Sequence, residues 1–346
     1  MVLHHNQFNT PKTTMFLYYK NKPVFILFFL LLINGSFSFS QELFPLNEPA
    51  STVPKGVLGV RAFDDTYKEV NQIRNLYALR VMYGLLPKLS VSATGSVSNH
   101  HDRNFPAGLA SHTHNQNGTS TFSTGNFQKG LYYPYLFAGI YLYAKYRFLT
   151  FDGDHKHFRM AAYGEWSNVN VAHDETEPNL LDDTKGYGGG LISTYLNNHF
   201  AISLTSGVII PGAYNGFSPD IYGGPMVPTQ LIYGRALKYN LSMGYLLFPK
   251  KYSNYDQGNV NIYLEFQGKS YEGAKIYQYG TKPVPISTPL LEAGSYVDIC
   301  PGIQYIVKSN LRIDLSAEFP LINKSYASFY PVFAIGVQRY FYFKKK

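Results

Sequence analysis

The chain has 346 residues and carries 30 basic and 22 acidic side chains, so charged residues are only 15% of it, against roughly 25% in an ordinary soluble domain. Aromatic residues reach 16%, with 31 Tyr and 25 Phe, and mean hydropathy is slightly negative at -0.16. That balance excludes a disordered chain, which has few aromatics, and a helical membrane bundle, which needs several apolar runs of about 20 residues.

One apolar run, Pro23 to Ile33, follows Lys20 and Lys22 and precedes the small-residue stretch that ends at Ser38-Phe39-Ser40. A basic flank, an apolar run of about 11 residues and small residues before a cut make a secretory signal; the run is too short to span a bilayer. The expected division is therefore 1–40 as signal peptide, with a cut before Gln41 and Met15 as an alternative start. Residues 41–54 follow as a short periplasmic segment, and 55–346 as the body of the protein. Removing Lys12, Lys20 and Lys22 with the signal lowers the net charge from +8 to +5. That excess is dispersed, apart from Lys344 to Lys346, so no basic stripe with interleaved aromatics marks a nucleic-acid partner. Cys300 stands alone, which fits export without an internal disulfide and gives the thiol a packing role.

Beyond residue 54 the apolar residues recur at every second position, the period of a strand. Residues 89–98 set Leu89, Val91, Ala93 and Val97 against Ser90, Ser92, Thr94, Ser96 and Ser98. In 259–267, Val260, Ile262, Leu264 and Phe266 oppose Asn261, Tyr263, Glu265 and Gln267; in 311–319, Leu311, Ile313, Leu315, Ala317 and Phe319 oppose Arg312, Asp314, Ser316 and Glu318. Twelve strands are expected, near 56–67, 75–86, 89–99, 135–151, 157–171, 185–196, 199–210, 229–247, 259–271, 293–307, 311–320 and 330–343, with ten and fourteen as the neighbouring counts. Short breakers such as Leu86-Pro87-Lys88, Asp152-Gly153-Asp154 and Lys308-Ser309-Asn310 alternate with longer polar stretches near 100–134, 172–184, 211–228 and 272–292.

Short turns on one side and long loops on the other are the pattern of a transmembrane antiparallel up-and-down β-barrel with both termini periplasmic. A soluble β-sandwich is the competing all-β fold, but strands of 10 to 15 residues exceed the usual 5 or 6 and suit a tilted bilayer crossing. Aromatics at strand ends, among them Tyr146, Phe148, Phe248 and Tyr340 to Phe343, suit interfacial girdles.

The last strand, with Phe333, Ile335, Val337, Phe341 and Phe343 on one parity, resembles the closing strand of bacterial outer-membrane proteins. That resemblance implies recognition by the barrel-assembly machinery and a place among outer-membrane lipid and lipopolysaccharide. Arg80, Tyr83-Gly84-Leu85 and Leu89-Ser90-Val91-Ser92 resemble the tyrosine-glycine-leucine turn and following strand of phenol-degradation and fatty-acid transport barrels, and Asn47-Glu48-Pro49-Ala50 is similar to their N-terminal plug motif with one extra Glu. This implies uptake of small, apolar solutes. The Tyr-rich, low-charge style with its Ser-Phe-Ser-Gln signal end resembles exported barrels of the Bacteroidetes.

With the apolar parity facing lipid, the lumen face holds Arg61, Arg80, Lys145, Arg147, Arg159, Lys238 and Arg312 together with Glu165, Glu265, Asp298, Asp314 and Glu318. A mixed-charge lumen points to a passive channel for small solutes. A closed barrel for surface display or adhesion is the alternative, and an outer-membrane lipid hydrolase a further one, although no strand sets Ser, His and a polar orienter at one depth. No cofactor is expected and no metal site is assigned. His100, His101, His112 and His114 belong to a polar loop, and Asp152, Asp154, His155 and His157 to a hairpin turn. Gly188 to Gly190 lack the Lys and Ser/Thr of a phosphate loop, so they are expected to allow close backbone approach inside the wall.

Overall fold

The computed structural model describes residues 44–69, 72–100, 134–169, 177–250, 257–285, 291–325 and 330–343. The signal peptide, the cut before Gln41, nearly all of loop 100–134 and the closing Lys344 to Lys346 lie outside these residues. Twelve antiparallel strands close on themselves: β1 (Val57–Glu69), β2 (Gln72–Leu86), β3 (Leu89–Ser98), β4 (Leu136–Gly153), β5 (Lys156–Val169), β6 (Gly186–Asn197), β7 (Phe200–Pro211), β10 (Ala236–Phe248), β11 (Asn259–Tyr271), β14 (Gly294–Val307), β15 (Leu311–Lys324) and β16 (Val332–Tyr342). β1 and β16 seal the ring, with Leu58 opposite Phe341 and Thr66 opposite Phe333. Closure removes every sheet edge, the condition for strands to cross a hydrocarbon layer with their backbone groups paired.

The period of two explains which face goes where. Along β7, Phe200, Leu204 and Val208 are exposed outward while Ala201, Ser203, Thr205 and Ile209 are buried inside. An apolar band of this kind, with Leu204 56% and Phe137 62% exposed, is disfavoured in water and satisfied by lipid. Exposed aromatics rim it at both ends. Tyr83, Tyr146, Tyr195, Phe200, Tyr245, Phe248 and Tyr305 stand near the short turns, and Phe137, Trp166, Tyr187 and Phe333 near the long loops. Phe137 and Tyr146 on β4 are about nine residues apart, roughly 30 Å along a strand and roughly 23 Å once tilted by about 40°, close to the height of an outer-membrane apolar band.

The long loops differ from the plain polar stretches expected. Four further strands, β8 (Ala213–Pro219), β9 (Met226–Ile232), β12 (Lys275–Gln278) and β13 (Lys282–Val284), form a separate sheet in the order β13-β12-β9-β8. Tyr214, Leu231, Tyr233, Ala274, Ile276 and Leu291 make its core. The single strand expected over 229–247 is therefore two. Gly234 breaks the alternation between β9 and β10, where the backbone passes so close to Glu272 that a Cβ would lie 1.9 Å from that carbonyl oxygen.

Gly190 has the same property inside the wall, where a Cβ would meet the Ser206 carbonyl oxygen at 2.1 Å. This agrees with the close approach expected of the Gly188 to Gly190 run. Cys300 is buried and free, in a packing position.

Candidate functional site: the occupied lumen

The segment ahead of β1, expected as a short periplasmic segment over 41–54, enters the barrel from Phe44 on. Phe44 packs against Tyr263 and Ala201, Asn47 reaches Asn240 of β10, and Val53 returns to Met82 and Tyr340 beside the first residues of β1. Residues 44–54 thus rise from the turn end to the middle of the lumen and come back, forming an arch. Pro45, Pro49 and Pro54 cannot extend a sheet ladder, which suits a segment that lines a barrel without joining its wall. Gly84 lets the arch leave: a Cβ there would lie 2.0 Å from the Pro54 carbonyl oxygen, and a bridge joins Lys55 to Gly84.

Two carboxylates fasten the arch. Glu48 bonds Arg80 Nη1 at 3.0 Å and Lys145 Nζ at 2.9 Å, and Lys145 also donates to the Pro49 carbonyl at 2.7 Å. Burial alone would raise the Glu48 carboxyl, but Lys145 and Arg80 outweigh it and hold the group at about 2, well below its ordinary 4.5. Glu265 on β11 works differently: it accepts from the Leu46 N–H at 2.9 Å, the Asn47 N–H at 3.1 Å, Asn47 Nδ2 at 2.8 Å and Ser242 Oγ at 2.7 Å. Thr194 Oγ1 accepts from the Ala50 N–H, and Arg61 donates to the Pro45 carbonyl.

The charged residues named from the sequence fall into groups. Arg61 pairs with Asp314 at 3.3 Å, and Arg312 Nε donates to the same carboxylate at 3.0 Å. Gln304, itself accepting from Tyr263, completes that cluster. Glu165 pairs with Lys238 at 3.1 Å and accepts from Tyr141 at 2.6 Å. Asp298 accepts from Tyr330 at 2.6 Å, and Glu318 accepts from Gln267 at 3.5 Å. Two lie apart from the others at the turn end: Arg147 donates to the Pro87 carbonyl, while Arg159 binds Asp152 and the arch residue Ser51.

Sequence reasoning named Glu48 only within the plug-like motif and did not single out two further ion pairs. Glu69 and Arg74 form a fully buried pair at 2.5 Å near the loop end, and Lys269 binds Glu177 at 2.6 Å. Lys269 continues the parity of Glu265 and Gln267, so extending that alternation by two residues finds it. Glu69 ends β1 and Arg74 lies near the start of β2, where periodicity ends and carries no signal.

A second segment enters the lumen at the other end. Residues 177–184, between β5 and β6, fold inward so that Leu180 packs with Ile209, Ala236, Tyr271 and Tyr141. Tyr296 donates to Glu177, and Ser96 donates to the Leu181 carbonyl from the opposite wall. Lys185 caps the segment over the Tyr214 ring at 4.5 Å, joining it to the loop sheet. A cavity of about 110 Å³ remains beside the arch. Leu46, Asn47 and Glu48 form its floor, and Arg80, Lys238, Tyr141, Tyr143 and Tyr163 stand in its walls.

No family model matches the chain, and no curated protein is similar to it. Among solved structures, an outer-membrane channel from Pseudomonas putida F1 superposes with a TM-score of 0.50 at 12% identity, over 87% of this chain and 100% of that one. The toluene transporter TbuX of Ralstonia pickettii gives 0.38 at 11% identity, over 84% and 90%. The β domain of the Bordetella autotransporter BrkA gives 0.37 at 12%, over 83% and 100%. At such identities the likeness to the first is one of fold: this chain is a closed antiparallel barrel of the outer-membrane kind.

Proposed function

We propose that this protein is a passive outer-membrane channel for small solutes, closed at rest by its own N-terminal arch. The observation that carries the reading is the arch itself: a segment outside the wall ladder, held in the lumen by ion pairs and hydrogen bonds that can be exchanged for water. A wall that only needed filling would use fixed side chains. A likeness of fold to a protein described as an outer-membrane channel supports the same reading.

In this reading the signal peptide is removed before Gln41, the termini and short turns face the periplasm, and the loop sheet faces outward. The last strand addresses the assembly machinery, and lipid and lipopolysaccharide cover the apolar band. The solute is small and polar. The residual cavity presents two cations, a carboxylate, two amides, a threonine and three tyrosines against only Leu46 and Ile192 as aliphatic surface, which favours a polar solute over the apolar cargo implied by the transport-barrel resemblance.

Selectivity tests the pathway. Arg80→Glu and Lys238→Glu, at the cavity, are expected to shift a reversal potential toward cations, whereas Arg147→Glu, directed at the Pro87 carbonyl, leaves it nearly unchanged. Solute-dependent swelling of proteoliposomes provides the companion measurement. Equal shifts in all three variants, or none, contradict a path past the cavity.

A further inference from the structure

The loop end of the barrel gathers carboxylates. Asp65 and Glu69 on β1 and Glu177, Asp182 and Asp183 on the inward segment lie there with the cations Arg74 and Lys269, and each of those two cations is already committed to a glutamate. His100 follows the end of β3 and sets its ring edge-on to Tyr67 at a centroid distance of 6.0 Å. Its Nδ1 lies 3.7 Å from Asp183 Oδ1. One ligand atom from each of His100, Asp182 and Asp183 falls within 4.8 Å of the other two, and His100 and Asp182 are buried.

The two aspartates are the telling pair. They are consecutive in sequence, and one carboxylate oxygen of each lies within 4.8 Å of the other and of a ring nitrogen of His100. Two carboxylates this close and largely out of bulk water repel unless a proton or a cation offsets their charge. The imidazole on the same side favours the cation, because one ring nitrogen with two carboxylate oxygens is a donor set that suits zinc and similar divalent transition ions. Bonds of about 2.0–2.1 Å to a tetrahedral ion put the donor atoms about 3.3 Å apart, so the present spacing needs only a small inward rotation of the side chains. Asn179 Nδ2 donates to Asp182 Oδ1 at 3.0 Å, which orients that carboxylate as partners of metal ligands commonly do.

We propose that His100, Asp182 and Asp183 form a divalent-cation site that fastens the inward segment 177–184 to the end of β3. An ion there adds a link between two parts of the chain already joined by the Ser96 bond to the Leu181 carbonyl. On the reading of the barrel as a channel, cation occupancy then sets how firmly the inward segment is held at the outer mouth.

Isothermal titration of the folded mature chain in detergent with zinc chloride, and separately with magnesium chloride, tests this. Zinc is expected to bind at one equivalent and more tightly than magnesium, with affinity falling at least about tenfold in His100→Ala and in Asp182→Asn. Heat-modifiable migration shows whether each variant has folded. Hydrogen exchange on the unaltered chain needs no variant: zinc is expected to slow exchange in 177–185 and at 98–100. Absence of zinc binding by the unaltered chain overturns the proposal. Binding unchanged in both variants assigns zinc to other histidines, such as His101, His112 or His114, and overturns it equally. So does unchanged exchange across both segments.

Discussion

Glu48→Ala is expected to turn a nearly silent barrel into a conducting one. The substitution leaves Arg80 and Lys145 without the carboxylate that neutralises both, and breaking a largely buried pair in this way costs about 3 kcal/mol, which is roughly a hundredfold in the balance between seated and released arch. Acid acts in the same direction. The Glu48 carboxyl lies at about 2 in the folded chain against an ordinary 4.5, so its contribution is complete above about 4.5 and is lost as pH falls through about 2. Single-channel open time in planar bilayers reads both effects. Glu48→Gln follows Glu48→Ala and loses the acid dependence, because the titrating group is gone. An open time that Glu48→Ala leaves unchanged would mean that the arch is not the closure.

Glu265→Ala is expected to have the second large effect, through hydrogen bonding instead of charge pairing. Four donors converge on this carboxylate, two of them backbone N–H groups of the arch, and a buried donor left without an acceptor costs about 1–3 kcal/mol. The apex of the arch at Leu46 and Asn47 then loses its seat, and a protease added from the turn side is expected to cut between residues 44 and 54 while the barrel stays whole. Ser242→Ala removes one donor and spares both arch N–H bonds, so it is expected to cut far more slowly. Equal cutting rates in these two variants would contradict an anchoring role for Glu265.

The barrel was legible because its cause is local. Alternation along 89–98, 259–267 and 311–319 assigns inside and outside residue by residue, and the short turns point to twelve strands, with ten and fourteen as the neighbouring counts. Parity likewise brought Arg61, Asp314, Glu165, Lys238 and Glu265 onto one face before any pairing was known. What parity cannot supply is depth or partner. Arg147 and Arg312 look equivalent in sequence, yet Arg312 bonds Asp314 within the wall cluster and Arg147 reaches the Pro87 carbonyl at a turn.

The arch and the inward segment have no period at all. Their positions depend on bonds spanning more than two hundred residues, such as Asn47 to Glu265, and on contacts such as Leu180 against Tyr271. Only the Asn-Glu-Pro-Ala resemblance hinted that residues 47–50 act as a plug. The loop sheet escaped notice for a related reason: β12 and β13 span four and three residues, too few for alternation to stand out from a polar loop.

If residues 44–54 obstruct a solute path through the lumen, single-channel recording separates two mature chains, one beginning at Gln41 and the other at Val53. The first is expected to open briefly and rarely and the second in long-lived, larger steps, with both running as intact heat-modifiable barrels. Two folded barrels that are equally silent, or equally conducting, would mean that the arch does not obstruct such a path.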